Sequence, residues 1–246
     1  MTTPQALIGS FGGADGLPES ATVELLLHGD GLDGAGLAAD FVDSSGLNHV
    51  PNTVSGDPTL VTATKKFGTA SIYFDGNDYL NYASSTDWAV DGGDFTVECF
   101  VNLDVQDVLK QEHIWQFASG TQNRFILYVV QTTKNLAVGV AQNAGGYTFN
   151  GITGPVLLDD TWYHVAVVRK NGTIRLYVAG VEQGTALSGA AATMPAGAND
   201  LALGWQPHSG TANDFLTGWI DEFRFVKGYA VYSSNFTPPT APFPNP

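Results

Sequence analysis

The carboxylates that could act as a general acid and a general base are scattered through this sequence rather than paired. Glycoside hydrolysis needs two of them facing one cleft, about 5 to 9.5 Å apart. The six glutamates form no such group, and Asp221 and Glu222 are adjacent, so on a regular strand they point to opposite faces. The five histidines lie far apart and lack the spacing of a zinc site. The sequence therefore predicts no enzymatic activity.

Two Gly-containing loops combine aromatic rings with polar side chains, and five of their residues are candidates for binding a sugar: Tyr147, Phe149, Trp205, Gln206 and His208. A sugar stacks its C–H face on an aromatic ring while its hydroxyls form directed hydrogen bonds. For Trp205 the alternative is a core anchor at the end of a strand. For Tyr147 the binding and the structural interpretations both stay open.

The elements that would hold these loops are β-strands. Residues 95 to 102 alternate between two faces, as successive side chains of a strand do, and one face is wholly apolar. The other face mixes polar side chains with Phe100. We therefore expect that face to be half covered, as it would be in an inner strand of a two-sheet sandwich.

The remaining pattern is also that of strands and turns. Asn171-Gly172 favours a tight hairpin between arms at 164–170 and 173–178, because both turn residues tolerate positive φ. Residues 184–199 are rich in small side chains and are predicted to form a flexible surface loop. Further strands are predicted at 23–28, 114–118, 125–130, 136–141, 201–205 and 219–226.

Composition excludes several classes of function. The formal net charge of -14 repels phosphate backbones and argues against nucleic-acid binding. No stretch approaches the about 18 apolar residues of a membrane helix, and the N-terminus lacks the basic start of a secretion signal. We expect a soluble protein without membrane insertion. The single cysteine, Cys99, lies on the apolar face of its strand and is predicted to be a buried, inert thiol.

The chain divides into three predicted segments. Residues 1–21 are rich in Gly, Ser and Pro and are expected to form an arm or linker that docks on a partner through Leu7, Ile8 and Phe11. Residues 22–235 form one β domain. Residues 236–246 are rich in proline and are expected to lie extended along that domain.

Four motifs carry a family resemblance in order and spacing. They are LLLHGDG with FVDSSG, FGTASIYFDGNDYL with GDFTVECFVNL, TWYHVAVVRKNGTIRLYVAG, and GWIDEFRFVKGYAVYSSNFTPPTAPF. Together they resemble a concanavalin A-like jelly roll of the laminin-G-like kind over about residues 22 to 243. The closing motif resembles the variant found in proteins of tailed bacteriophages. The resemblance implies an all-β, two-sheet antiparallel jelly-roll sandwich, with glycan binding as the commonest activity of the family.

The resemblance also implies that separate loops can share one calcium ion. Asp30 and Asp43 flank a long excursion, and Asp221 and Glu222 lie in the closing strand. Oxygen ligands from separate segments suit calcium. The alternative is that Asp30 and Asp43 make turn hydrogen bonds while Asp221 or Glu222 pairs with Arg224 or another cation.

Three functional hypotheses follow. The leading one, resting on the phage resemblance, is a non-enzymatic protein of the virion surface that decorates the capsid, assembles in the host cytoplasm and docks on the major capsid protein or another virion protein. Its assembly is expected to be a closed ring such as a trimer. The second is a free or tail-borne carbohydrate-binding module for host attachment. A glycoside hydrolase is the third and least supported.

Overall fold

The computed structural model describes residues 16–104, 109–120, 123–142, 148–205 and 214–246, and its regular structure is almost wholly strand. The strands are β1 (Thr22–Leu27), β2 (Thr53–Ser55), β3 (Thr59–Val61), β4 (Ser71–Asp75), β5 (Tyr79–Ser85), β6 (Phe95–Leu103), β7 (Glu112–Ser119), β8 (Asn123–Val129), β9 (Asn135–Gln142), β10 (Thr148–Val156), β11 (Tyr163–Lys170), β12 (Thr173–Val178), β13 (Val181–Leu187), β14 (Asn199–Leu203) and β15 (Thr217–Lys227). Short 3-10 turns span Ala38–Asp40, Thr86–Trp88 and Gly189–Ala192. None of these helical turns is long enough to cross a membrane.

The strands form two sheets. One has the order β13-β12-β11-β6-β15-β4-β3, with β1 paired to β15, and the other has the order β10-β9-β8-β7-β14-β5-β2. Every strand pair within the described ranges is antiparallel. The predicted all-β jelly-roll sandwich is confirmed.

Strand β6 lies in the middle of its sheet, between β11 and β15, as the alternation predicts. Its apolar face, including Phe95, Val97 and Cys99, packs into the main core between the sheets. The outer face is fully rather than half covered, and all nine residues of the strand are buried. The segment after β15 bonds to Thr96 and Glu98, and Phe67 packs on Phe100. Cys99 is a buried free thiol, and burial raises its pKa.

Leu17 and the C-terminal segment meet on the outer side of β1 and β15. Leu17 is buried against Val23 and Leu26 of β1 and against Phe243 near the C-terminus. Phe236 packs on Tyr177 of β12, with ring centroids 5.5 Å apart. The aromatic side chains of the proline-rich tail thus cover the outer face of one sheet. The predicted docking residues Leu7, Ile8 and Phe11 fall outside the described residues.

The predicted hairpin is confirmed, and its turn has the expected backbone. Asn171 and Gly172 have φ of 49° and 75°, the positive values that a two-residue hairpin turn requires. Lys170 pairs with Thr173 directly across it.

Two expectations need correction. Asp221 and Glu222 do not point to opposite faces, because β15 is irregular between Asp221 and Arg224 and Glu222 has φ of 53°. Ile220 and Phe223 both enter the core, so the two acidic residues between them lie on the same outer face.

The second correction concerns residues 184–199, which are not simply a surface loop. Their first part completes strand β13, through Leu187, and the segment then makes a 3-10 turn. Ala192 and Met194 are buried in the main core. The small side chains of this segment allow it to pack closely. Composition alone cannot distinguish such a packed segment from a flexible loop, because both are rich in small residues.

Candidate functional site

A cluster of three aromatic rings forms where β14 ends and β5 begins. The ring centroid of Trp205 lies 4.4 Å from that of Tyr79 and 5.5 Å from that of Phe215. All three side chains are partly exposed, so Trp205 is neither fully buried nor free in solution. Gly204, with φ of 84°, turns the chain out of the strand just before Trp205. The structure thus places Trp205 at the surface but supports it with two other rings.

Polar groups border this cluster. The turn Asp75–Asp78 directly precedes Tyr79, and Asp75 and Asn77 are exposed. On the other side of Gly76, the Lys110 ammonium lies 3.4 Å from the Thr217 hydroxyl. Partly exposed rings, with polar groups on the turn that leads into Tyr79, are the two kinds of group that a sugar site combines.

The Asp75–Asp78 turn is itself held by an acidic cluster that the sequence pattern did not indicate. Carboxylate oxygens of Asp57, Asp75 and Asp78 lie within 4.8 Å of one another. Asp78 is buried, which raises its pKa, and its two oxygens accept backbone N–H groups of Asp57 and Asp75 at 2.8 Å. These bonds join the loop before β3 to the turn beneath Tyr79, so the cluster fixes the position of the turn.

Phe149 is the other predicted sugar-binding residue that lies within the described part of the chain, and it is not part of this cluster. Phe149, in β10, is 44% exposed, and its ring lies over Gly139 with its centroid 6.4 Å from that of Tyr128. It lies at the far edge of the same sheet. Tyr147, Gln206 and His208 fall outside the described residues.

The four candidate calcium ligands separate into two groups. Asp43 is buried and accepts hydrogen bonds from the backbone of Leu26, Ser45 and His49 and from the Ser45 hydroxyl. Glu222 accepts from the Phe243 backbone at 2.8 Å and contacts the His28 ring at 2.9 Å. These two carboxylates have other functions, because protein donors already occupy their oxygens.

Asp30 and Asp221 are better suited as cation ligands than Asp43 and Glu222. Both hold the segment from Lys66 to Thr69: Asp221 accepts the backbone N–H groups of Lys66 and Phe67 at 2.7 and 3.1 Å, and Asp30 accepts that of Thr69. The second oxygen of Asp221 is buried without a hydrogen-bond partner. Burial, with the charges of Glu222 and Asp30, raises the pKa of Asp221 to about 7, against the effect of the two N–H donors.

A second constellation, which we call the tail-covered network, consists of Glu98, His164, Arg224 and Tyr232. Both oxygens of Glu98 are bound: one by the Arg224 guanidinium at 2.6 Å, the other by the Tyr232 hydroxyl at 2.8 Å and the His164 ring at 3.0 Å. Phe243 covers Arg224, with the guanidinium carbon 4.0 Å from the ring centroid. Because these groups are buried and mutually paired, they stabilise the attachment of the tail.

Two sheets around one core, with a partly exposed aromatic cluster at a loop end, define a lectin-like jelly-roll domain. A family model described as Concanavalin A-like lectin/glucanases superfamily (Laminin_G_3) matches residues 74–230, more than half of the chain. The protein therefore belongs to this family. A search of curated protein sequences finds no match.

Solved structures with the same fold share little sequence with this chain. Domain 4 of AbnA, a GH43 extracellular arabinanase from Geobacillus stearothermophilus in complex with arabinotriose, has a TM-score of 0.63 and 18% identity, with 87% of this chain and 96% of that chain covered. The Ruminococcus gnavus IT-sialidase CBM40, bound to alpha2,3 sialyllactose, has a TM-score of 0.50 and 13% identity, covering 66% and 91%. The binding domain of botulinum neurotoxin DC, in complex with rat synaptotagmin II, has a TM-score of 0.59 and 12% identity, covering 86% of this chain but 49% of that one.

Proposed function

We propose that this protein is a non-catalytic carbohydrate-binding domain whose primary site is the cluster of Trp205, Tyr79 and Phe215. The observation that carries the proposal is the partly exposed Trp205 ring, which is supported by the rings of Tyr79 and Phe215. The structural neighbours named for arabinotriose and sialyllactose complexes support the same class of ligand. A single site of this kind binds weakly, since a Kd of about 1 mM corresponds to a binding free energy of only about -4 kcal/mol. Stable attachment to a surface would therefore need many copies of the domain.

The test is binding to a multivalent panel of neutral glycans that includes arabino-oligosaccharides. Trp205→Ala is expected to weaken binding about tenfold or more, since an aromatic contact is worth about 1.5 kcal/mol. Trp219→Ala is the matched control, because Trp219 is also partly exposed and packs on a tyrosine, Tyr73, with centroids 4.9 Å apart. Equal losses in both variants, or no binding by the wild type at high valency, would refute the proposal.

We further propose that the domain is carried on the surface of a phage particle as a capsid decoration protein. The closing motif from Gly218 to Phe243, which resembles the tailed-phage variant, supports this location. Cryo-electron microscopy of the particle tests it: copies in icosahedral register on the shell are expected, and copies confined to the tail would favour host attachment instead. A variant lacking residues 1–15 should lose shell binding but keep its fold, because Leu17, which packs on the domain, is retained.

A structural calcium ion at Asp30 and Asp221 is the third part of the proposal. It would neutralise two neighbouring carboxylates and fasten the segment 66–69 to β15. We expect added Ca²⁺ to raise the melting temperature of the wild type but not of Asp221→Asn. Asp75→Asn, in the separate acidic cluster, is the control. If Asp75→Asn abolishes the shift and Asp221→Asn does not, the ion binds at the Asp57, Asp75 and Asp78 cluster instead.

A further inference from the structure

One surface cleft lies away from the aromatic cluster. It has a volume of about 520 Å³ and opens where the β11–β12 turn meets the loop before β6 and the segment that follows β13. A cleft of this size is within the range of small-molecule sites, about 300 to 1,000 Å³. We call it the Arg169 cleft.

Arg169 enters this cleft from between the two sheets. Along β11 it alternates with Val165 and Val167, which are in the main core, so its side chain points the same way at the open end of the sandwich. Its Nη1 donates to the carbonyl oxygen of Gly93, while its Nε is buried without an acceptor. One nitrogen of the guanidinium is thus fixed by a hydrogen bond, while the N–H group of another has no acceptor.

The charge of Arg169 also lacks a counter-charge. This chain has 24 acidic residues, yet in the described structure no carboxylate lies within 4.0 Å of the Arg169 guanidinium, whereas Arg175 pairs with Glu182 and Arg224 with Glu98. Asp91 lines the same cleft, but its carboxylate accepts the backbone N–H of Gly197. A partly buried cation is normally paired, so we expect a ligand to supply the counter-charge, and it would reach the guanidinium through Nη2 rather than through the buried Nε.

The rest of the lining indicates what else that ligand carries. Four residues with hydroxyl or amide side chains line the same cleft as Arg169: Asn171, Thr173, Ser188 and Thr193. Met194 gives the cleft a small apolar wall. Because Asp94 accepts the backbone N–H of Asn171 at 2.8 Å, the turn is fixed to the neighbouring loop before any ligand binds.

We propose that the Arg169 cleft binds an acidic sugar, with the carboxylate paired to the guanidinium and the ring hydroxyls bound by the surrounding hydroxyl and amide groups. This site is separate from the Trp205 cluster. The domain then has two carbohydrate sites of different chemistry, one depending on aromatic stacking and one on charge. An oligosaccharide or surface that presents both features would be bound with higher avidity than either alone.

The test compares D-glucuronate with D-glucose, which differs from it in having a hydroxymethyl group in place of the carboxylate, by calorimetry and ligand-observed NMR. N-acetylneuraminate serves as a second acidic sugar and acetate as a carboxylate without a ring. We expect at least one acidic sugar to bind about tenfold or more tightly than glucose and acetate. Arg169→Gln should abolish this preference, because a charge-assisted bidentate contact accounts for a difference of about that size.

Arg175→Gln is the matched control, since it removes the same charge from the next strand, where Arg175 is paired with Glu182 at 3.5 Å. It should leave acidic-sugar binding unchanged. The proposal is overturned if none of the acidic sugars binds, if glucose binds equally well, if acetate matches the acidic sugars, or if Arg175→Gln weakens binding as much as Arg169→Gln. Loss of acidic-sugar binding in Trp205→Ala would place the ligand at the aromatic cluster and also overturn it.

Discussion

Arg224 on β15 and Arg169 on β11 belong to the two strands that flank β6 in one sheet, but they have opposite surroundings. Arg224 is buried, bound to Glu98 at 2.6 Å and covered by Phe243. Arg169 borders an open cleft, bonds to one backbone carbonyl and has a buried Nε without an acceptor. The same side chain is used for stability where the fold provides its partner, and is available for binding where the fold does not. The predictions below separate these two roles.

Glu98→Gln is expected to have the largest effect. It leaves Arg224 and His164 buried without their shared anion, and breaking a buried pair in this way costs about 3–5 kcal/mol. Chemical denaturation measures the loss. Glu182→Gln is the control: its pair with Arg175 is about a third exposed, so we expect a change of about 1 kcal/mol or less. If Glu98→Gln and Glu182→Gln lowered the free energy of unfolding equally, the buried network would contribute no more to stability than an exposed ion pair. If Glu98→Gln does not fold, Tyr232→Phe removes one hydrogen bond and should cost about 1 kcal/mol.

Acid should weaken the same network. Burial by itself raises the pKa of Glu98, but Arg224 and His164 outweigh it and lower the pKa to about 2, from an ordinary value of 4.5. A lowered folded-state pKa means that this contribution to stability is complete above pH 4.5 and is lost as the pH falls toward 2. The stability difference between the wild type and Glu98→Gln should therefore shrink across that window. A difference that stays constant from pH 5 to pH 2 would contradict this assignment.

Phe243→Ala tests how strongly the tail is attached. The ring is buried against Leu17, Val23 and Leu26 as well as Arg224, and removing a buried phenylalanine costs about 3 kcal/mol. Thermal and chemical unfolding measure the loss, with limited proteolysis of the tail as a second readout. Leu158→Ala, at a side chain that is 65% exposed, should change stability by about 0.5 kcal/mol or less.

Arg169→Gln should have the smallest effect on stability, about 1 kcal/mol or less. It removes one hydrogen bond to Gly93 but also removes an N–H that has no acceptor, and these two changes oppose each other. Denaturation curves of Arg169→Gln and the wild type should nearly coincide. A loss as large as that of Glu98→Gln would show that Arg169 is structural and would remove the contrast between the two arginines.

The strand pattern of the central sheet could be predicted because it is local. Alternation from Phe95 to Asn102 and the Asn171-Gly172 turn each constrain only neighbouring residues, and the structure has both. The irregularity at Asp221 and Glu222 could not be predicted, because an added residue in a strand depends on its partners β6 and β1 rather than on its own side chains.

The candidate sites divide in the same way. Trp205 could be nominated from its loop, but its partners Tyr79 and Phe215 could not, because they are brought together only when β5 lies beside β14. Asp43 matched a motif for calcium, yet the fold directs four protein donors to its carboxylate. Arg169 gave no signal in the sequence, since a lone arginine at a strand end is ordinary.

The sequence by itself determined the class of fold, the central hairpin and the apolar faces of the strands, because side-chain alternation and turn preferences act over a few residues. Only the tertiary structure decided which polar groups found partners. Glu98 bonds to Arg224 across 126 positions of the chain, whereas the acceptor that the described residues give the Arg169 guanidinium is the carbonyl oxygen of Gly93. Hydrogen bonds and ion pairs depend on distances of a few ångströms between distant segments, and those distances are fixed by how the two sheets and the tail pack.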